Sequence, residues 1–276
     1  MIQARWPAPI NGCDCHLHIY DFDNYPLEQT SPVSPPRASW DDYLVLQKKL
    51  GISRGVIVQP MGYGFDNRCT LDALRASQGS ARAIISMPPQ ASDKDLAQLN
   101  DMGVRGVRFQ MVPNSGNIMT WDELAPAAHR IAPLGWTINL QLDGRTLPDY
   151  ETLIASQPCR IVIDHVGKFL EPVTPDHPGF ACLKRLLDTG NVWVKLSAMY
   201  ETSRTGAPDY QDVGRLAEQL AHQYPERCLW ASNWPHPGQV QRPDDVALLA
   251  LLDHWCPSQQ VRDQILEHNP AQLYGF

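Results

Sequence analysis

Three histidines stand where they could share one site. His16 and His18 sit in D-C-H-L-H (14–18), and His165 closes R-I-V-I-D-H (160–165). Side chains two apart on a strand share a face, so an H-x-H pair at a strand end aims both imidazoles the same way. Imidazole titrates near neutral pH and can take a proton from a hydroxyl and hand it on. An H-x-H pair alone is commonly a chance pairing without function; a third histidine at an equivalent strand end favours chemistry.

The remaining polar residues at strand ends suggest what such a site would hold. Arg108 and Gln110 alternate with Phe109 and share a face. A strand-borne arginine inside a fold is costly unless paired, so Arg108 is either a structural ion pair or a clamp for an anion. Lys168 and Arg204 are further cations for carboxylate or carbonyl oxygens, while Gln141, Gln59 and Asn67 could contact substrate hydroxyls. Near the end, L-W-A-S-N-W-P-H-P (229–237) places Asn233 at a strand end, with Trp234 and Pro235 as pocket wall and His236 behind. An amide has no basic lone pair near neutral pH, so Asn233 either orients a ligand or caps the loop.

These residues need a scaffold that gathers strand ends. Short β-branched runs (10–16, 55–59, 82–86, 106–110, 137–141, 160–165, 192–197 and 227–232) alternate with segments of helical apolar spacing such as 39–51, 70–79, 93–103 and 209–224. Eight strand–helix alternations predict an α/β fold, a single-domain (β/α)8 barrel over residues 1–276, with catalytic groups at the C-terminal strand ends. A doubly wound open sheet is the alternative, but no G-x-G-x-x-G follows the first strand. The Pro- and Ser-rich stretch 20–39 reads as a lid loop after the first strand or as a linker. The closing 257–276 reads as a last helix and a tail on the barrel exterior.

Composition narrows the function classes. With 23 Lys and Arg against 30 Asp and Glu, the net charge of −7 argues against a nucleic-acid or anionic-membrane partner. Seven scattered cysteines without a C-x-x-C pair suit reduced thiols, and no apolar run is long enough to span a bilayer. The expectation is a cytoplasmic protein with a small-molecule partner.

D-C-H-L-H on the first strand, I-V-I-D-H-V-G-K (161–168) on the sixth and W-A-S-N-W-P-H (230–236) on the eighth together resemble the amidohydrolase superfamily. They are most similar to its amidohydrolase-2 branch, which contains 2-pyrone-4,6-dicarboxylate lactonase and the sugar-acid lactone enzymes. The likeness runs along nearly the whole chain. Within the branch, Q-L-D-G (141–144), D-H-V-G-K-F (164–169), Y-E-T-S-R (200–204) and S-N-W-P-H (232–236) look like the galactarolactone isomerases.

The resemblance implies a lactone-acting barrel enzyme. Most of the superfamily binds one or two metal ions through the H-x-H pair, further histidines and a last-strand aspartate. This chain has Lys195 in place of a seventh-strand histidine and Asn233 in place of the aspartate. The expectation is therefore no cofactor, with His16, His18 and His165 as ligands if a metal is present. The reaction implied is isomerisation of an anionic aldaric acid 1,5-lactone, such as D-galactaro-1,5-lactone, to its 1,4-lactone by intramolecular attack. His18 and His165 would be proton shuttles, with His16 and Asn233 beside them. Alternatives are a lactonase that opens a sugar-acid lactone or 2-pyrone-4,6-dicarboxylate with water, a metal-dependent hydrolase, and a silent sugar-acid binder.

Overall fold

The computed structural model describes residues 4–27, 35–113, 115 and 117–276. Eight parallel strands lie in sequence order in one sheet: β1 (Cys13–Leu17), β2 (Arg54–Val58), β3 (Ala81–Ile85), β4 (Val104–Gln110), β5 (Thr137–Gln141), β6 (Arg160–Ile163), β7 (Val192–Leu196) and β8 (Cys228–Trp230). Just past β8 the chain returns to β1. The Asn233 backbone N–H donates to the His16 carbonyl at 2.9 Å, and the His18 backbone N–H donates to the Trp234 carbonyl at 2.8 Å. The sheet is thereby a nearly closed barrel, as the alternating pattern predicts.

The outer layer holds α1 (Trp40–Leu50), α2 (Arg68–Ala76), α3 (Asp93–Met102), α4 (Trp121–Ile131), α5 (Leu147–Ala155), α6 (Pro178–Asp188), α7 (Gln211–Gln223) and α8 (Asp245–Trp255). Local sequence explains their ends. Ser39 and Ser92 form reciprocal capping boxes with Asp42 and Asp95, and α1 and α3 stop at Gly51 and Gly103 in left-handed backbone. No helix among the described residues is long and apolar enough to cross a membrane.

β1 starts three residues later than its apolar run suggests. Gly12 donates back to the Pro9 carbonyl at 2.8 Å, and this turn leaves Ile10 79 % exposed. Between Asp14 and Leu17 the register against β2 shifts by one residue. Such a bulge re-aims side chains. Here Cys15 joins the barrel interior, His18 reaches the cavity at the C-terminal mouth, and His16 lies buried behind it with Nε2 3.2 Å from His18 Nε2. Asp14 faces the helix layer and fastens the bulge, accepting from the amides of His16 and Ser232 and from the Ser232 and Tyr43 hydroxyls. Burial outweighs these donors and raises its pKa to about 6.

The barrel interior is apolar at mid-height, with Val56, Val58, Ile84, Val162, Leu229 and Ala231 packed together. The C-terminal tail corrects the sequence reading. After α9 (Gln259–Asp263) and a π-helical turn, α10 (Asn269–Tyr274) brings Leu273 and Tyr274 into this inner cluster. The arginines at the strand starts draw it there: Arg82 and Arg54 lie over the Phe276 ring at 4.5 and 5.3 Å, and Arg160 reaches the Leu273 carbonyl. The tail plugs the N-terminal end of the barrel instead of lying on its flank.

Of the loop expected as a lid, Tyr20 and Ala38 pair in an antiparallel bridge that closes its base. Its residues 28–34 lie outside the described residues.

Candidate active site

A cavity of about 290 Å³ opens at the C-terminal ends of the strands. His18, Arg108, Gln141, His165, Lys168 and Asn233 line it, joined by Tyr20, Gln110 and Glu201. Several of these residues occupy left-handed backbone directly after a strand: His165 (φ 56°), Val166 (φ 55°), Lys168 (φ 43°) and Asn233 (φ 62°). For a β-branched residue such as Val166 this conformation is strained, and strain of this kind persists where surrounding structure fixes a functional loop.

The imidazoles form a directed chain. His18 Nδ1 lies 2.8 Å from the Val58 carbonyl, which can only accept, so this nitrogen carries the proton. His18 Nε2 is then a bare lone pair, 3.2 Å from His16 Nε2, which must donate to it. His16 Nδ1 is left as acceptor for the Lys195 ammonium at 3.0 Å. His165 completes the group, with Nδ1 2.8 Å from the Ser197 hydroxyl. Burial, reinforced by nearby cations, holds all three imidazoles neutral: His16 and His165 fall well below their usual value, and His18 falls to about 3.

Lys195 is the cation beneath this chain. Its Nζ lies 3.0 Å from Asp164 Oδ1, both side chains have no exposure, and the ammonium keeps the Asp164 carboxyl below the usual carboxylate range despite burial. His16, Asp164 and His165 form the one cluster among the described residues that could hold a metal, with donor atoms within 4.8 Å of one another. Its donor chemistry suits a divalent ion poorly. Asp164 already pairs with Lys195, His16 Nδ1 faces the same ammonium, and the strand-eight position holds a neutral amide.

On the other side of the cavity, Arg108 donates to the Gln59 carbonyl at 2.8 Å and to Gln141 Oε1 at 3.2 Å, leaving Nε buried without a partner. Gln110 Oε1 is likewise buried and unpartnered. Polar atoms so placed require a ligand or water. Asn233 is held from behind. Asp245 lies 3.1 Å from His236 Nε2, His236 Nδ1 is 2.8 Å from the Tyr200 hydroxyl, and that oxygen is 2.9 Å from Asn233 Nδ2. Nδ2 also donates to Glu201 Oε1 at 3.1 Å, while Glu201 Oε2 pairs with Lys168 Nζ.

Some expected residues lie elsewhere. The Gln59 amide is spent on the Asp66 and Gly64 carbonyls and the Thr70 hydroxyl, and Asn67 bridges the Ser86 backbone. Both brace the loop after β2. Arg204 is 72 % exposed and pairs with Glu171 away from the cavity. Trp234 packs on Tyr43, and Pro237 lines the cavity where Trp234 and Pro235 were expected. Sequence reasoning gave no role to Lys195, Asp164 or Glu201. Lys195 left a signal, a charge on the inward alternation Trp193-Lys195-Ser197; Glu201, in a loop without periodicity, was marked only as part of Y-E-T-S-R (200–204).

The amidohydrolase family profile matches residues 13–276, nearly the whole chain. This chain belongs to the amidohydrolase family. Among curated amidohydrolase relatives, it is 34 % identical to 2-pyrone-4,6-dicarboxylate hydrolase of Comamonas testosteroni, over 99 % of this chain and 92 % of that one. It is 35 % identical to 4-sulfomuconolactone hydrolase of Rhizobium radiobacter, over 97 % and 91 %. It is 32 % identical to D-galactarolactone isomerase of Agrobacterium fabrum, over 96 % and 91 %. The barrel superimposes on a ligand-free crystal structure from Agrobacterium tumefaciens with a TM-score of 0.91 at 32 % identity, covering 99 % of this chain and 98 % of that one.

Proposed function

We propose that this amidohydrolase is a lactone isomerase that works without a metal, converting an aldaric acid 1,5-lactone, such as D-galactaro-1,5-lactone, to the 1,4-lactone. The observation that carries this reading is the amide at the end of strand eight, fixed by Tyr200 and Glu201 in a site whose histidines are neutral. Relatives named for both lactone hydrolysis and lactone isomerisation support a lactone substrate.

In the proposed reaction, the substrate carboxylate lies against Arg108 and Lys168, and Arg108 Nε is free to stabilise the carbonyl oxygen as charge develops there. The 4-hydroxyl attacks C1 and passes its proton to a neutral imidazole, that of His165, or that of His18 once its Nε2 releases the His16 hydrogen it accepts. The attacking and leaving oxygens share one carbon in the tetrahedral intermediate. The imidazolium therefore returns the proton to the ring oxygen as that bond breaks, and no proton is consumed. Orientation of the hydroxyl supplies much of the rate, and Asn233, whose two side-chain hydrogens are held by Tyr200 and Glu201, accepts a hydrogen bond through Oδ1 without activating water.

Following D-galactaro-1,5-lactone by proton NMR tests the reading. The expected result is first appearance of the 1,4-lactone. Direct growth of the open-chain diacid from the 1,5-lactone would replace isomerisation with hydrolysis, the second reading, to which the identities to lactone hydrolases lend weight.

A further inference from the structure

The charge of the cavity distinguishes among lactones. Among the described residues that line it, Arg108 and Lys168 are cations and Glu201 is the one carboxylate. The His16–His18 contact at 3.2 Å needs a bare nitrogen on one ring, so the histidines form a neutral hydrogen-bonded chain, and Lys195 and Asp164 cancel beneath them at 3.0 Å. One net positive charge remains. A sugar-diacid lactone fits that charge, because one carboxyl is tied up as the ester and a single carboxylate is left. A pyrone dicarboxylate and a sulfonated muconolactone each carry two anionic groups, and a site for them needs a second uncompensated cation. Glu201 removes it by pairing with Lys168.

Hydrogen-bond polarity points the same way. Glu201 uses one lone pair for Asn233 Nδ2 and one for Lys168, and a carboxylate has about four. What is left of it can only accept, as can the unpartnered Gln110 Oε1. These acceptors match ring hydroxyls. A planar pyrone dicarboxylate brings acceptors alone and would set its oxygens against a carboxylate whose side chain is only 16 % exposed.

We propose that Glu201 is the specificity-determining residue of this site, admitting hydroxylated lactones with one carboxylate and rejecting dianionic lactones that have no hydroxyl. The assignment rests on the lactone reading above. Titration calorimetry with two probes, D-galactaro-1,4-lactone and 2-pyrone-4,6-dicarboxylate, tests it without requiring turnover. The wild type is expected to bind the hydroxylated monoanion at least about tenfold more tightly. Glu201→Gln is expected to weaken the monoanion and tighten the dianion, each by about tenfold, so that the preference disappears or reverses. Lys168→Met is the second variant, and it serves if Glu201→Gln does not fold. It leaves the Glu201 charge unopposed and should widen the preference for the monoanion. A wild type that binds both probes equally, or variants that shift both by the same factor, would overturn the role of Glu201 alone. A wild type that binds neither probe would overturn the lactone reading and this assignment with it.

Discussion

The amide nitrogen of Asn233 lies 2.9 Å from the Tyr200 hydroxyl oxygen and 3.1 Å from Glu201 Oε1, so both of its hydrogens point at acceptors. The groups behind it favour this: Asp245, 3.1 Å from His236 Nε2, favours the tautomer with its proton on that nitrogen, so the Tyr200 hydroxyl donates to Nδ1 and its oxygen is left to accept from Asn233. A carboxylate at 233 would confront Glu201 directly. Two carboxylates sharing a site cannot both ionise at their usual pKa.

Asn233→Asp is therefore expected to lower kcat/KM for isomerisation by about 100-fold, through lost positioning and added repulsion. It should also introduce a base for water, so open-chain diacid labelled from ¹⁸O-water should appear. That hydrolysis should grow when Glu201→Gln removes the opposing charge. If neither variant forms labelled acid, the amide is not what withholds hydrolysis.

Arg108→Met should lower kcat/KM by about 10²–10³-fold while the fold survives, as for loss of a group that stabilises developing negative charge. Arg108→Lys should recover little of this. A lysine keeps the charge and three donors, but they share one nitrogen and cannot match the spread of Nη1 on the Gln59 carbonyl, Nη2 on Gln141 and a separate Nε. Steady-state kinetics with matched circular dichroism checks both; full rescue by lysine would reduce Arg108 to a point charge.

The barrel and the histidine trio are legible in the sequence because both depend on local periodicity: apolar strand runs set the fold, and strand ends set His18 and His165. His16 turns toward His18 in company with Cys15's inward turn only because of a one-residue bulge, which no alternation pattern announces. Arg204 and Asn67 look like ligands by type, yet one finds Glu171 in solvent and the other is consumed by the Ser86 backbone. Glu201 was passed over because its meaning comes from Lys168 and Asn233, 33 and 32 residues away. Residue type announces capacity; only tertiary partners decide what remains free.

The lowered pKa values of the histidines give the activity an unusual acid limb. With His18 near 3 and His16 and His165 well below 6.5, the bases stay neutral as the solution is acidified. Plots of kcat/KM should stay flat from about pH 8 to about pH 5, where an ordinary histidine would protonate near 6.5. A limb centred at 6.5 would show that the catalytic imidazole is not the buried one.

The same shifts govern stability. The unfolded chain takes up protons on these histidines near pH 6.5, before the folded chain does, so their contribution is present above that pH and lost as it falls toward 3. Asp14, raised to about 6, has the opposite sign: its contribution is full below 3.8 and is lost as pH rises through 6. Three histidines outweigh one carboxylate, so urea midpoints should fall between pH 6.5 and 4.5. A rise over that interval would contradict the assigned protonation states.

Arg204→Ala should change kcat/KM by less than about twofold, since an exposed ion pair contributes little and the residue lies outside the cavity. A larger rise in the Michaelis constant alone would mean that the loop carries Arg204 to the substrate on binding.

Lys195 and Asp164 have no exposure, and each is the other's charge partner at 3.0 Å. Removing one member leaves a buried charge unopposed. Lys195→Met should destabilise the fold by about 3–5 kcal/mol, seen as a melting temperature lower by about 6–15 °C. Lys195→Met combined with Asp164→Asn should recover much of that loss, because no uncompensated charge then remains inside the barrel. Activity should not return with stability, since His16 Nδ1 has lost the donor that fixes its tautomer and, through it, the lone pair of His18. Differential scanning calorimetry and single-turnover rates on the same samples separate the two effects. Equal melting temperatures for the single and double variants would show that the pair contributes no mutual stabilisation.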